Sequence, residues 1–484
     1  MIRVMQQKRW FCWAMLSAMG LSIVAAQSSQ QEKQPYNILL IAVDDLNSWI
    51  GAMGGPAQTP NMDALAARGR LFTNAHCVTP ACNPSRTALM TGQRPETTGQ
   101  YGNPGNFREL PGGLQRVTLP QFLQNKGFET VAAGKIFHQP AGKGKTPNVL
   151  SDPESWTHQN PNNVGTGGHD VFLDEYGQAR WLEGAMRKDI KGNAGAPYLT
   201  KFGVWGITSE TKEETADWQN ARFCADFLAQ PQDKPFLLAC GSFRPHSPQI
   251  VPKEFMDKYP LHQVQAPVFP EDDMKDLPAI AQTNFSSEFV SWVKRKGQLQ
   301  LAMQAYLASI SYADACIGEV LNALENSPYK NNTVVILFSD HGWQLGHKDR
   351  WEKYSLWRQA TSMPLIISYP GMPSKGAVCE QAVSLLDIYP TVLSLNGWSL
   401  PEYLEGLTLK PQLERPGARR RQPAVVTFPQ GNHAVIQGRW HYIHYEDGTE
   451  ELYDQRLDRG QYYNLITQKR AGKIKRRLKV SLPQ

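Results

Sequence analysis

Cysteine is scarce in this sequence, with seven residues in a chain of 484. One of them, Cys12, falls in an N-terminal segment that is expected to be removed. Six cysteines in so long a chain do not form the disulfide framework on which small secreted proteins depend. Internal repeats and low-complexity tracts are also absent. The 41% hydrophobic and 19% charged content is typical of a soluble globular protein, either one large domain with a smaller companion or two to three domains.

Acidic residues are absent from residues 1–26. This segment begins with Arg3, Lys8 and Arg9, continues with an apolar run and ends in small residues. The pattern predicts a secretory signal peptide that is cleaved after Ala26, and a single membrane anchor is the alternative. No later run is long and apolar enough to span a bilayer. We therefore expect export to the periplasm or the medium, with no stable membrane insertion.

Four apolar runs predict buried strands, at residues 36–43, 236–240, 333–339 and 364–368. Between the second and third runs, residues 298–325 carry apolar side chains at spacings of three and four, which predicts a long helix. Strands that alternate with helices indicate an α/β fold with a largely parallel sheet.

The stretches 139–163 and 261–285 are rich in Pro, Gly, Asn and Asp, and we expect them to form long excursions. Near the C-terminus, short runs separated by turn residues predict a small antiparallel sheet. Its strands are expected at 424–428, 434–437, 440–445 and 451–453. The predicted organisation is a signal peptide (1–26), a catalytic domain (33–400), a linker (401–423) and a C-terminal α+β subdomain (424–484).

Polar side chains follow two of the predicted strands directly. Asp44 and Asp45 follow the first strand, and Asp340 and His341 follow the third. Ligands of α/β sheets bind outside the carboxyl ends of the strands. Four such groups would repel one another unless a cation lay among them, and oxygen donors suit calcium or magnesium. A turn or helix cap is the alternative for an isolated Asp-Asp pair.

Cys82 lies just before the predicted first turn of a helix, which Pro84 starts. The helix dipole favours an anion there, and Arg86 adds a fixed positive charge. A cysteine in this position is either an activated thiolate or a small buried apolar residue.

The order Cys82-x-Pro84-Ser85-Arg86, followed by Thr91-Gly92, resembles the type I sulfatase signature. The resemblance extends over nearly the whole chain after the signal segment. It includes Asp44-Asp45, residues 133–138, Arg244-Pro245-His246, residues 339–343, residues 351–354, residues 385–391 and residues 450–454. The motifs are most similar to the iduronate-2-sulfatase-like branch. The resemblance implies an alkaline-phosphatase-like fold, in which helices sandwich a large mixed, mainly parallel sheet and a smaller antiparallel sheet follows.

The family resemblance also implies a site. One calcium ion per chain would be bound by Asp44, Asp45, Asp340, His341 and a formylglycine that a maturation enzyme makes from Cys82. Arg86 and Lys135 would contact the formylglycine, and His138 would lie beside it. Lys353 would hold the sulfate, and His246 would face the oxygen of the leaving group. Taken singly, these lysines are expected on the surface and these histidines in packing or loops.

The implied activity is hydrolysis of sulfate esters at chain ends of a sulfated carbohydrate derived from a polysaccharide or glycosaminoglycan, with no nucleic-acid partner. Residues 347–350 depart from the family pattern and are expected near the sugar, so the substrate itself is not carried over. Two alternatives stay open: a phosphomonoester or phosphodiester hydrolase of the same superfamily, and a non-catalytic glycan-binding protein.

Several further residues have structural interpretations. Asp387 is expected to start a helix. Trp156, Trp181, Trp205 and Trp292 are expected to pack in the core rather than stack on a sugar ring. The basic run 469–479 is expected to form a solvated helix face.

Overall fold

The computed structural model describes residues 34–138, 151–160, 172–173, 205–208, 210–282, 287–295 and 297–483. Residues 35–484 form one compact unit. The predicted signal peptide and most of the first excursion lie outside the described residues. The predicted boundaries between domain, linker and subdomain stay a prediction. No helix in the described ranges combines the length and the apolar character that crossing a membrane requires.

The strands are β1 Asn37–Val43, β2 Arg70–His76, β3 Glu129–Ala133, β4 His158–Gln159, β5 Phe172–Leu173, β6 Trp205–Thr208, β7 Phe236–Ser242, β8 Gln249–Pro252, β9 Thr333–Ser339, β10 Gln344–Leu345, β11 Trp351–Glu352, β12 Ser362–Ser368, β13 Val378–Cys379, β14 Val383–Ser384, β15 Ala424–Thr427, β16 His433–Gln437, β17 Trp440–His444 and β18 Glu450–Asp454.

The α-helices are α1 Pro60–Arg68, α2 Cys82–Thr91, α3 Pro95–Thr98, α4 Leu119–Gln124, α5 Ala216–Ala229, α6 Lys253–Met256, α7 Ala279–Gln282, α8 Ser287–Arg295, α9 Leu299–Glu325, α10 Arg358–Thr361, α11 Ile388–Leu395, α12 Lys410–Glu414 and α13 Ala471–Lys479. Single 3₁₀ turns lie at Gly51–Met53, Phe107–Glu109, Gly113–Gln115, Pro153–Ser155, Lys212–Glu214, Leu261–Gln263, Lys330–Asn332, His347–Asp349 and Leu385–Asp387.

The large sheet has the strand order β13-β2-β12-β9-β1-β7-β3-β4, with β14 paired to β2. Strand β1 pairs in parallel with both β7 and β9. Strand β12 is antiparallel to both of its neighbours, β9 and β2, so the sheet is mixed. The predicted α/β fold with a largely parallel sheet is confirmed, and β12 supplies the antiparallel pairing.

The two faces of β1 contribute to separate hydrophobic cores. Ile38, Leu40 and Ala42 pack in the core that also contains residues of α2 and α11. Leu39, Ile41 and Val43 pack on the opposite face, against α1, α5 and α9. Because successive side chains of a strand point to opposite faces, a strand buried on both faces needs a continuous apolar sequence. The helix predicted at 298–325 is α9, and it covers the second face.

The C-terminal sheet contains β15, β16, β17 and β18 in that order, all antiparallel. Val426, Ala434 and Ile443 pack toward the main core. The other face of this sheet packs against α13 through a small cluster of Val425, Val435, Tyr442, Leu452, Ala471 and Leu478. This sheet therefore lies between the main core and α13, and the predicted small antiparallel sheet is confirmed.

Two glycines permit the close approach of the segment after β3 to the end of β7. Gly134 has φ +74°, and a Cβ built on it would lie 1.8 Å from the carbonyl oxygen of Gly241. A Cβ on Gly241 would lie 2.3 Å from the carbonyl oxygen of Lys135. Both distances are far below van der Waals contact, so only glycine fits at either position. This contact sets the position of the backbone that carries Lys135.

We expect Gly241→Ala to lower the free energy of unfolding by about 2–3 kcal/mol, because overpacking against backbone is relieved only by moving it. The matched control is Gly472→Ala, where the added Cβ meets no atom within 4 Å. In α13 the same change should be neutral or stabilise by up to about 1 kcal/mol. Urea denaturation of both variants measures the difference, and equal stabilities would contradict the close-contact argument.

Candidate active site

The first two acidic residues of the site lie at the carboxyl end of β1. Because β1 and β9 are in register from Asn37–Thr333 to Val43–Ser339, the residues after both strands are neighbours. The N–H of Asp45 donates to Oδ1 of Asp340 at 3.2 Å. Asp45 has φ +62°, a conformation that costs energy for a non-glycine residue. The Tyr306 hydroxyl stabilises it by donating to the carbonyl of Asp45 at 2.7 Å.

Cys82 is the first residue of α2 and is fully buried. Its Sγ lies 3.3 Å from Nε2 of His341. The helix is fixed to the end of β9 because Ser85 Oγ donates to the carbonyl of Asp340 at 2.6 Å. The prediction that Cys82 lies at a helix N-terminus is confirmed, and the residue faces the acidic cluster.

Arg86 joins three parts of the site from the next turn of α2. Its Nε lies 2.8 Å from Oδ2 of Asp340, and its Nη2 lies 3.1 Å from Oδ1 of Asp44. Its Nη1 donates to the carbonyls of Lys135 and Ile136 at 2.6 and 3.0 Å. A buried guanidinium that bridges two carboxylates in this way offsets part of their mutual repulsion.

Two buried lysines complete the charge compensation. Lys135 Nζ forms an ion pair with Asp44. Lys353 Nζ lies 2.7 and 3.0 Å from the two carboxylate oxygens of Asp45, and 3.5 Å from Sγ of Cys82. Each lysine is only 2% exposed, so the carboxylates of the site replace most of the water around each ammonium group.

Two histidines border the cluster. His138 is half-buried and interacts with Cys82: burial and Lys135 lower the pKa of its imidazole, and Cys82 acts in the opposite direction. His246 is half-buried, with Nε2 3.7 Å from Oδ2 of Asp45 and Nδ1 2.5 Å from the carbonyl of Ser247. If Nδ1 donates to that carbonyl, Nε2 is the ring atom that faces the site.

The buried charges shift several pKa values. Burial raises the pKa of Asp340 to about 7, although Arg86 and His341 act in the opposite direction. Burial acts to raise the pKa of Asp44 as well, but Lys135, His246 and Arg86 together outweigh it and the net shift is downward. For Cys82, burial is again opposed, and Lys135, Lys353 and His341 hold its pKa well below the usual value. The site therefore favours an anion at residue 82.

The donor atoms are close enough to bind one metal ion. Ligand atoms from Asp44, Cys82, Asp340 and His341 all lie within 4.8 Å of one another, as do those of Asp45, Cys82 and His246. Carboxylate oxygens dominate the combined set, which suits a hard divalent cation such as calcium or magnesium. Cys82 contributes the one sulfur donor in these two groups, and the oxygen donors, not this sulfur, indicate which metal binds. The residues present therefore fit a cation.

All ten residues proposed from the sequence meet in this one cluster. They are Asp44, Asp45, Cys82, Arg86, Lys135, His138, His246, Asp340, His341 and Lys353.

Residues 347–350, by contrast, have their hydrogen-bond and ion-pair partners outside it. Lys348 is buried, and its Nζ lies 2.7 Å from Oδ1 of Asp273 in the second excursion. His347 is also buried, in contact with the carbonyl of Gly460. These two side chains pack between the excursion and the C-terminal sheet, and the expectation that the segment lies near the sugar stays a prediction.

Two supporting residues were not identified from the sequence. Tyr306 on α9 bonds to the backbone of Asp45. Asp217 on α5 accepts from the N–H groups of Phe243 and Arg244, both at 2.8 Å, and thereby holds the segment that carries His246. Neither residue lies in a recognisable motif. Each is on a helix with an ordinary amphipathic pattern and bonds to backbone groups that are distant in the sequence.

The residues given structural interpretations also have positions in the fold. Trp156 and Trp205 are buried in the two main cores. Trp181 and the side chain of Trp292 lie outside the described residues. Asp387 precedes α11, where its carboxylate accepts from the N–H of Ser384 and Leu407.

Comparison with known protein families gives two matches. The family model "Sulfatase" matches residues 36–398, and the model "N-sulphoglucosamine sulphohydrolase, C-terminal" matches residues 346–484. The chain is 36% identical over 446 residues to a sulfatase of Formosa agariphila, covering 90% of this chain and 84% of that protein. It is 28% identical over 428 residues to iduronate 2-sulfatase of Mus musculus, covering 80% and 73%.

Solved structures show the same fold. One, a protein in complex with its substrate D-glucosamine-2-N,6-O-disulfate, superposes with a TM-score of 0.67 at 21% identity, covering 92% of this chain and 96% of that one. A phosphonate monoester hydrolase of Agrobacterium radiobacter superposes with a TM-score of 0.68 at 20% identity, covering 92% of this chain and 94% of that one. At these identities the likeness extends to the fold alone. Family model and curated relatives together assign the chain to the sulfatase family, and the protein is a sulfuric ester hydrolase.

Proposed function

We propose that the protein removes sulfate from the ends of sulfated saccharide chains, derived from a polysaccharide or glycosaminoglycan, with a formylglycine made from Cys82 and one bound calcium ion. The observation that carries this proposal is the convergence of Cys82 with three carboxylates, three cations and three imidazoles in one buried cluster. The names of the relatives support a sugar substrate, since the mouse relative is an iduronate 2-sulfatase and one structural neighbour holds a sulfated glucosamine.

Burial supports action at a chain end. Cys82 is fully buried and Lys353 is 2% exposed, so the reacting sulfate has to enter a recess. A terminal sugar carries polymer on one side only and enters such a recess more easily than an internal one. A recess also excludes water, which strengthens the charge interactions within it.

A formylglycine at residue 82 would supply, as its hydrate, two hydroxyls on one carbon. One would attack sulfur and displace the sugar oxygen; the other would lose its proton and restore the aldehyde as the C–O bond to sulfate breaks, a route that a plain Ser or Cys lacks. Calcium, when bound to Asp44, Asp45, Asp340 and His341, supplies positive charge that favours the ionised hydroxyl and polarises a sulfuryl oxygen.

The protein's own side chains have separate roles in this scheme. Lys353, 3.5 Å from Sγ of Cys82, is placed to hold a sulfuryl oxygen while it pairs with Asp45. His138 interacts with residue 82, and Lys135 pairs with Asp44 beside it. Together these two side chains orient the attacking hydroxyl. His246 faces the site with Nε2 and, when protonated, donates that proton to the departing sugar oxygen.

We also propose that the chain is exported to the periplasm or the medium after removal of residues 1–26. A maturation enzyme that oxidises Cys82 is its required partner. Since the family match is to sulfatases, the phosphoester alternative has no observation of its own beyond a shared fold.

Mass spectrometry of the active native protein should find an aldehyde, not a thiol, at residue 82. Cys82→Ala should lower kcat by at least about 10⁴-fold, because the nucleophile is lost. Cys379→Ala, a buried cysteine on β13, is the matched control and should keep nearly full activity. Free sulfate released from sulfated disaccharides is the measure, and an unmodified thiol in fully active protein would refute the mechanism.

Removal of calcium should abolish activity and lower the melting temperature, since an ion that binds only the folded state stabilises it by about 3 kcal/mol at 100 times its Kd. Elemental analysis should find one calcium per chain in the native protein and none in Asp340→Ala. Asp257→Asn changes an exposed carboxylate outside the cluster and should keep the metal. Full activity and an unchanged melting curve after chelation would contradict the metal assignment.

His246→Gln should slow hydrolysis of a sugar sulfate by about 10²-fold, because the alkoxide leaving group needs a proton. With an aryl sulfate, whose phenolate leaves without protonation, the loss should stay below about threefold. His262→Gln is the control, since His262 is exposed and outside the cluster. Equal losses on both substrates would show that His246 is not the proton donor.

A further inference from the structure

Helix α13 has a basic face that the catalytic scheme does not use. Seven of the eleven residues 469–479 are Lys or Arg, and none is acidic. We define the basic face as the exposed residues Lys469, Arg470, Lys473, Arg476 and Arg477. Lys473, Arg476 and Arg477 lie on the side of α13 opposite the buried Ala471 and Leu478, and Lys469 and Arg470 lie in the turn just before the helix.

The two flanking lysines are paired, whereas the basic face is not. Lys475 contacts Glu450, and Lys479 Nζ lies 3.6 Å from Oε1 of the same carboxylate. Within the described ranges, no member of the basic face has a carboxylate within 4.0 Å. The basic face is therefore a cluster of like charges that no acidic side chain of that part of the chain neutralises.

This arrangement is unfavourable for the helix by itself. Lys473 and Arg477 are four residues apart on the helix, where like charges repel. Lys473 also lies in the first turn of α13, where the helix dipole disfavours a cation. An external polyanion bound along this face would relieve both effects.

We propose that the basic face of α13 is a docking surface for the sulfated polysaccharide from which the reacting chain end comes. This inference rests on the proposed function, because that function is what brings a sulfated polymer to the protein. The face binds sulfates of sugar units that lie away from the cluster around Cys82. Charge complementarity between five solvent-facing cations and a chain of sulfate esters drives the contact.

The same helix disfavours other polyanions. An interfacial membrane helix needs a free apolar face, but the apolar side of α13 is covered by the C-terminal sheet. Proteins that bind single-stranded nucleic acid stack bases on aromatic side chains, and residues 469–484 contain none. A sulfated polysaccharide requires neither feature, since its sulfates offer charge and hydrogen-bond acceptors alone.

Docking should raise the local concentration of chain ends near the active site without changing the chemical step. The KM for a polymer should therefore depend on the basic face, while kcat should not. The KM for a sulfated disaccharide is expected to be independent of it, since the C-terminal sheet separates α13 from the main core and packed layers lie about 10 Å apart. The effect should fade as salt screens the contact.

The experiment compares the native chain with a triple variant, Lys473→Gln, Arg476→Gln and Arg477→Gln. The control triple variant, Lys234→Gln, Lys258→Gln and Lys375→Gln, removes the same charge from exposed positions elsewhere. Retention on immobilised dextran sulfate, unsulfated dextran, anionic vesicles and single-stranded DNA measures binding. Sulfate release from a sulfated polymer and from a sulfated disaccharide measures turnover.

The α13 variant should leave dextran sulfate at lower salt and show about a five- to tenfold higher KM for the polymer, with its disaccharide kinetics unchanged. The control variant should resemble the native chain. Equal retention of the two triple variants, or a loss confined to anionic vesicles or single-stranded DNA, would overturn the proposal. If the native chain released no sulfate but the α13 variant still lost retention, the surface would stand and the proposed function would fall.

Discussion

Mutual repulsion among Asp44, Asp45 and Asp340 is the constraint on which the site depends. Adjacent parallel strands bring these carboxylates together at one end of the sheet, and burial removes the water that would otherwise separate their charges. Compensation has to come from the protein or from a bound cation. Arg86 and Lys353 pair with these acids from segments far apart in the sequence, so charge balance also holds those segments in place.

Much of the site was predictable because local patterns specify where each strand ends. The apolar run of β1 stops at Asp44, that of β9 stops at Asp340, and register in a parallel sheet makes them neighbours. Cys82 was predictable as a helix start from Pro84. Lys135 and Lys353 were identified only through family resemblance. Their positions depend on tertiary features, such as the contact of Gly134 with Gly241, that no local pattern reveals.

What the sequence did not reveal has physical reasons. A mixed sheet was expected, but the apolar run of β12 contains no signal for strand direction, so β12 was not identified as the antiparallel strand. Residues 347–350 were expected near the sugar because they depart from the family pattern, and no local pattern indicated that Lys348 would be buried against Asp273. Tyr306 and Asp217 stabilise the backbone of the site with single hydrogen-bonding groups from α9 and α5, which leave no trace in hydrophobic periodicity.

The C-terminal sheet is hydrogen-bonded both to the segment that leads into Cys82 and to Trp357, just before α10. The N–H of Thr427 on β15 donates to the carbonyl of Val78 at 2.9 Å, and Trp357 Nε1 donates to Glu451 on β18 at 2.9 Å. Truncation before β15 would leave the Val78 carbonyl and the Trp357 N–H without these partners in the protein interior. If related enzymes exchanged this sheet by recombination, the incoming sheet would have to fit the recipient's segment around Val78, before Cys82. The two regions should therefore be inherited together.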